Sequence, residues 1–277
     1  MASPLPECVR KPAFLERNGR RLYTISFSPD VAEASPAVIL FAQFAEEMNR
    51  CRRMMTLQAE ALAKTGVTAV IFDYSCTGDS SGCFAQASWN DWIEDGVAVM
   101  EYVRDLGTPK SRLLGIRLGA ALALEAARRS DIPVDRIALW QPVASGSVHL
   151  TQFLRLRIAA ALTGEPDGET TRSLRERLSA GETLEIGGYS LSGSLAESIA
   201  DATLDVSAPD TPVCWLECVS QTPGSLLPAS DRVIDAWRNG GSNVESAIVP
   251  GAPFWSVQET TVAPALLEKT TEILAGA

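Results

Sequence analysis

Leu113-Leu114-Gly115-Ile116-Arg117-Leu118-Gly119-Ala120-Ala121-Leu122 decides how the rest of the chain is read. An apolar run ends in Gly-x-Arg-x-Gly, and an Ala/Leu-rich helical pattern follows at once. This is the layout of a sharp strand-to-helix turn, the nucleophile elbow, which reads G-x-S-x-G where a serine is displayed for catalysis. The two glycines permit a tight turn and close packing of helix on strand. The apex holds Arg117, a cation where the serine would stand.

Outward from this turn the apolar pattern is regular. Short buried strands are expected at 36–41, 67–72, 112–116 and 136–140, and helices at 52–65, 89–106 and 119–129, with 43–49 as a loop. Residues 13–28 alternate and contain Asn18-Gly19, so a β-hairpin at the sheet edge is expected there. A β-α-β-α-β-α-β order with short connections specifies an α/β fold: a mostly parallel central sheet covered by helices on both faces. From 147 to 207 the pattern changes. Leu150, Phe153, Leu154, Ile158, Ala161 and Leu162 form one helical stripe, 164–168 is a loop, and 170–180 and 192–204 read as helices parted by Gly187-Gly188. This predicts a helical cap at 147–207 inserted into a core of 1–146 and 208–277. The sheet resumes with a strand at 212–219, a helix at 228–239, a strand at 244–249 and a closing helix at 258–274.

Composition limits the function. The chain has 277 residues, 46% hydrophobic and 21% charged, with a net charge of −10. That balance excludes nucleic acid and anionic membrane surfaces as partners, since both need a basic face. No apolar run is long enough to span a membrane, and the N-terminus lacks the apolar core of a secretory signal. Six cysteines without regular spacing read as reduced thiols in a cytoplasmic protein. Cys214 and Cys218 have no histidine cluster near them, so neither a metal nor another cofactor is expected. The chain contains one histidine, His149, so any Ser-His or Cys-His mechanism has a single candidate base.

A second motif stands in register with the elbow. Asp73, Gly78-Asp79-Ser80 and Gly82 resemble the D-x-x-G-x-G-x-S-x-G stretch that follows the fourth strand in many α/β-hydrolases, and the chain as a whole resembles that superfamily. More narrowly it is similar to the bacterial exosortase A system-associated hydrolase 2 group. The resemblance lies in Phe44-Ala45-Glu46-Glu47-Met48-Asn49, Leu139-Trp140-Gln141-Pro142-Val143, Thr151-Gln152-Phe153-Leu154-Arg155-Leu156-Arg157, Gly187-Gly188-Tyr189 and Phe254-Trp255. It implies an α/β-hydrolase-like fold and a place in a bacterial exopolysaccharide and protein-sorting locus. It implies no particular reaction, because the group's name rests on fold.

In a working site of this kind an acid follows a late strand and a histidine follows the last one. Here Glu217 is available as an acid, but Phe254 and Trp255 occupy the place of the histidine. Arg117 cannot serve as a base, its pKa exceeding about 12. At the start of a helix it suits a carboxylate or phosphate. Its partner is either an internal carboxylate, Glu46, Glu47 or Glu217, or the anionic group of a ligand. Those three carboxylates are also the candidates for activating a water. Arg117, Leu118, Phe44, Gln141, Phe254 and Trp255 are the candidate ligand-binding residues. His149 reads as a surface or cap-hinge residue, and Cys51, beside Arg50, Arg52 and Arg53, as a candidate low-pKa thiol that lacks the nearby histidine catalysis would need. The expected ligand is a small anionic or acyl molecule; a protein partner or a homodimer is a further expectation.

Overall fold

The computed structural model of the chain describes residues 7–17, 19–30, 36–108, 110–161, 168–204, 209–220 and 224–276. Strand β3 (Ala37–Phe41) and strand β5 (Ser111–Ile116) are buried along their whole length, and β4 (Thr68–Phe72) at all but its first residue. Strands with both faces out of water belong in the middle of a sheet with helices on either side. Val134–Trp140 (β6), Val213–Val219 (β9) and Val244–Pro250 (β10) extend the sheet one way. Cys8–Arg17 (β1) and Arg20–Pro29 (β2) extend it the other. The order across the described residues is β1-β2-β4-β3-β5-β6-β9-β10. Only the β1–β2 and β2–β4 pairings in it are antiparallel. The hairpin at the edge is as the sequence predicts, although Asn18 lies outside the described residues. The edge strand carries Arg10, Lys11 and Pro12, which discourage pairing with another chain.

Helix α1 (Glu46–Lys64) packs with α8 (Pro264–Ala275), and α2 (Trp89–Asp105) with α3 (Gly119–Arg129). Helix α7 (Pro228–Asn239) lies against β10. Two boundaries differ from expectation. Residues 46–49, read as loop, are the first turn of α1. The closing helix starts at Pro264 rather than 258, because proline is favoured in a first turn, where no N–H is needed.

Between β6 and β9 lie α4 (Gly146–Ala161), α5 (Thr171–Ser179), β7 (Leu184–Ile186), β8 (Tyr189–Leu191) and α6 (Gly193–Asp201). The segment is therefore not wholly helical. Gly187 and Gly188 both have positive φ, +57° and +86°, and join β7 to β8 in a two-residue hairpin. Leu162 and most of the 164–168 loop fall outside the described residues. Gly146 lets α4 start hard against α6: a Cβ there would lie 1.7 Å from the Ile199 carbonyl oxygen.

Candidate functional site

The elbow follows from the two glycines. A Cβ on Gly119 would meet the Ala42 and Phe41 carbonyl oxygens at 2.2 and 2.4 Å, and one on Gly115 would meet Ala120 Cα at 2.6 Å. Helix α3 can therefore start directly against the end of β3. Between them Arg117 takes φ +55°, a left-handed backbone that non-glycine residues rarely adopt. Its N–H donates to the Trp140 carbonyl at 2.9 Å, and its own carbonyl accepts from Ala120 N–H at 3.1 Å. The strained apex is thus tied to the end of β6 and to the helix that follows it.

Each nitrogen of the guanidinium has a partner. Arg117 Nε donates to Glu47 Oε1 and Oε2 at 3.3 and 3.2 Å, Nη2 donates to Glu47 Oε1 at 3.0 Å, and Nη1 donates to the Gln141 carbonyl at 3.1 Å. The Arg117 and Glu47 side chains are only 13% and 15% exposed. Trp255 covers the group, with Arg117 Cζ 5.1 Å from the ring centroid. Of the three candidate carboxylates only Glu47 pairs with Arg117. Because α1 already begins at Glu46, neighbouring residues point about 100° apart. Glu46 pairs along its own helix with Arg50, 3.3 Å away. Glu217 is buried elsewhere on β9, where it accepts from Trp215 Nε1 at 3.1 Å and from Leu227 N–H at 2.9 Å.

The remaining candidates divide between cavity and core. Trp255 borders the Arg117 cavity, whereas Phe254 is buried between Trp140 and Trp255. Gln141 contributes its carbonyl to Arg117, but its side chain turns to β9 and accepts from Cys218 N–H at 3.0 Å. The Asp73–Gly82 stretch is a structural turn: Asp73 pairs with Arg52 and accepts from Asp79 N–H at 2.9 Å, and Ser80 Oγ donates to the Asp73 carbonyl at 2.6 Å.

Two expectations fail. His149 is not on the surface: in the first turn of α4 it is 5% exposed, and neither ring nitrogen has a hydrogen-bond partner. It borders the same cavity as Arg117 and Glu47. Burial holds its pKa below the ordinary 6.5, with Glu47 opposing and Arg117 reinforcing that shift. The signal was present in α4: His149, Gln152, Phe153 and Leu156 stand at i, i+3, i+4 and i+7, one helical face, and all border this cavity. Cys51 is the second failure. It lies buried in the core of α1, and desolvation pushes its thiol well above the ordinary range, outweighing Arg50 and Arg117.

Two cavities meet at Phe44. One, about 280 Å³, is lined by Glu46, Glu47, Arg50, Arg117, His149 and Trp255, among others. Two carboxylates face two guanidiniums there, so its charge is balanced. The other, about 260 Å³, lies over the N-terminus of α3 between Gln43, Tyr74, Phe84, Trp92, Leu118 and Tyr189 and is mainly apolar. Among the described residues no group of acidic, histidine and cysteine side chains is arranged to hold a metal.

No protein-family model matches the sequence, and no curated protein matches it. Solved structures do match, over nearly the whole chain. Est1E from Butyrivibrio proteoclasticus with ferulic acid bound is 19% identical, over 95% of this chain and 96% of its own, with a TM-score of 0.65. An α/β-hydrolase fold protein from Chitinophaga pinensis is 16% identical, over 96% and 98%, at 0.62. The thioesterase domain from the curacin biosynthetic pathway is 15% identical, over 94% and 99%, at 0.59. The chain has the α/β-hydrolase fold. At these identities the likeness speaks for the fold alone; within it, this chain carries Arg117 at the elbow and Trp255 after the last strand of the sheet. Among the described residues no helix is long and apolar enough to cross a membrane.

Proposed function

We propose that this protein is an α/β-hydrolase-fold binder with a degenerate triad, which holds a small acyl or anionic molecule between the elbow and the helices above it. The observation that carries this reading is the Arg117–Glu47 pair. The position that would display a nucleophile holds a guanidinium already engaged by a carboxylate and a carbonyl. The one histidine has no hydroxyl or thiol bonded to it. A ligand carboxylate entering the Arg117 cavity takes the place of Glu47 on the guanidinium fork, and its apolar part lies along Phe44 and Phe153. The sequence resemblance adds an exopolysaccharide-associated setting, and the role proposed is that of a cytoplasmic accessory protein there or in an acyl-transfer pathway.

The test runs wild type and Arg117→Ser side by side on p-nitrophenyl octanoate and an octanoyl thioester, with octanoate binding measured by calorimetry. Neither protein is expected to turn over. Wild type is expected to bind octanoate, and Arg117→Ala to lose at least about tenfold in affinity with its charge-assisted bonds. Turnover by wild type refutes the reading.

One observation favours a second reading, an unconventional ester or thioester hydrolase. Glu46, Glu47 and a neutral, buried His149 border one cavity with Arg117. A water there would have a base beside it and a cation to face a developing oxyanion. This reading requires turnover that disappears in Glu47→Gln or His149→Gln.

A further inference from the structure

The apolar cavity beside the elbow contains one unexplained feature. Gln43 is 2% exposed, borders that cavity, and has no partner for either its Oε1 or its Nε2. The other polar side chains around it are engaged. Tyr74 donates its hydroxyl to the Ala42 carbonyl at 3.2 Å. Trp92 Nε1 donates to the Ser75 carbonyl at 3.0 Å, and Thr77 Oγ1 to the Tyr74 carbonyl at 2.8 Å. Tyr189 accepts from Asn49 Nδ2 at 3.1 Å. A buried amide with both ends unpaired is costly, and native structures rarely keep one without a reason. Nothing charged is needed to satisfy it. What it lacks is one acceptor for its N–H and one donor for its carbonyl, side by side.

We infer that this cavity is a binding site for a neutral, flat molecule bearing an adjacent N–H and C=O edge, a lactam or carboxamide, which pairs with the Gln43 amide. The walls fit a planar ring: Phe44, Tyr74, Phe84, Trp92 and Tyr189 surround the space, and Phe44 lies within 6.0 and 6.2 Å of Phe84 and Trp92, centroid to centroid. The volume, about 260 Å³, holds a molecule of one or two fused rings. The terminal amide torsion of glutamine is soft, so Gln43 can turn its two atoms to the ligand edge without leaving its rotamer. A carboxylate leaves the amide short, because it offers two acceptors and no donor, and no cationic side chain lines these walls, so only the N-terminus of α3 would favour its charge. The inference deepens the binding reading by naming the ligand class of its second chamber, and it does not use Arg117.

The experiment titrates wild type with 2-quinolone, which carries the edge, and with 2-methylnaphthalene, which has the same shape without it. Octanoate serves as the probe of the Arg117 chamber. A site that hydrogen-bonds a polar edge rejects an analogue that lacks it, so wild type is expected to bind 2-quinolone about tenfold or more tightly than 2-methylnaphthalene. Gln43→Leu is expected to reverse that order. Should Gln43→Leu not fold, Gln43→Met takes its place. The Gln43 side-chain amide resonances of wild type give an independent readout; they should shift with 2-quinolone and stay still with 2-methylnaphthalene. Equal affinity for the two compounds, or a preference that survives the loss of the amide, overturns the inference. Octanoate binding that depends on Arg117, without 2-quinolone binding, overturns it and leaves the broader reading standing. Binding of neither overturns both.

Discussion

Replacing the two halves of the Arg117–Glu47 pair separately and together measures what holds the elbow. Both side chains are about seven-eighths out of water. Exposed ion pairs contribute about 0.2–1 kcal/mol. Breaking a fully buried one by removing a single partner costs about 3–5 kcal/mol, because a bare charge is left behind. With three contacts of 3.0–3.3 Å to Glu47, some residual exposure and a tryptophan overhead, this pair falls between those limits. Glu47→Leu strands the guanidinium with only the Gln141 carbonyl, and Arg117→Met strands the carboxylate. Each is expected to cost about 2–3 kcal/mol, and the double variant about 1–2 kcal/mol, since no charge is then left unpaired. The coupling, about 3–4 kcal/mol, is well above the roughly 0.5 kcal/mol scatter of independent sites. Urea unfolding followed by circular dichroism reads it: at a slope of about 3 kcal/mol per molar, each single variant moves the midpoint down by about 0.7–1 M. If the two single losses simply add in the double variant, Arg117 and Glu47 do not hold the elbow as a pair.

His149 is neutral in the fold because burial lowers its pKa below 6.5, so the unfolded chain takes up the proton first. Stability should therefore be unaffected by this group above pH 6.5 and fall as pH drops below it, by at most about 1.4 kcal/mol per pH unit. His149→Phe should flatten that part of the profile, and the single imidazole NMR signal of wild type should titrate below 6.5. Gly119→Ala places a Cβ 2.2 Å from a backbone carbonyl, so a loss of about 3 kcal/mol or more, or failure to fold, is expected in the same urea assay. Thiol labelling at pH 8 should modify exposed Cys83 first and reach Cys51 only after unfolding, since burial both shields Cys51 and raises its pKa. Fast labelling of Cys51 in the native protein would contradict its placement.

The sequence by itself determined the sheet, the elbow and the order of the main helices. These are local matters: a short apolar run bounded by turn residues suits a strand covered on both faces, and the glycines of Gly-x-Arg-x-Gly permit the tight turn from strand to helix. It also named Arg117 and the carboxylates from which its partner would come. Only the tertiary structure decided which one. Glu46 and Glu47 are neighbours in sequence, but the helix that starts at Glu46 turns one toward Arg50 and the other toward the elbow. Glu217 sits on a strand end near enough on paper, yet its carboxylate is taken up by Trp215 and Leu227. His149 shows the same limit most plainly. Its helix carries an obvious apolar stripe through Leu150, Phe153 and Leu154, and only the packing of that helix over the sheet brings the edge of that stripe, with His149 and Gln152 beside Phe153, down onto the elbow cavity. Helical period fixes which residues share a face. Which face meets which cavity depends on how distant segments dock, and that is settled by packing across the whole core.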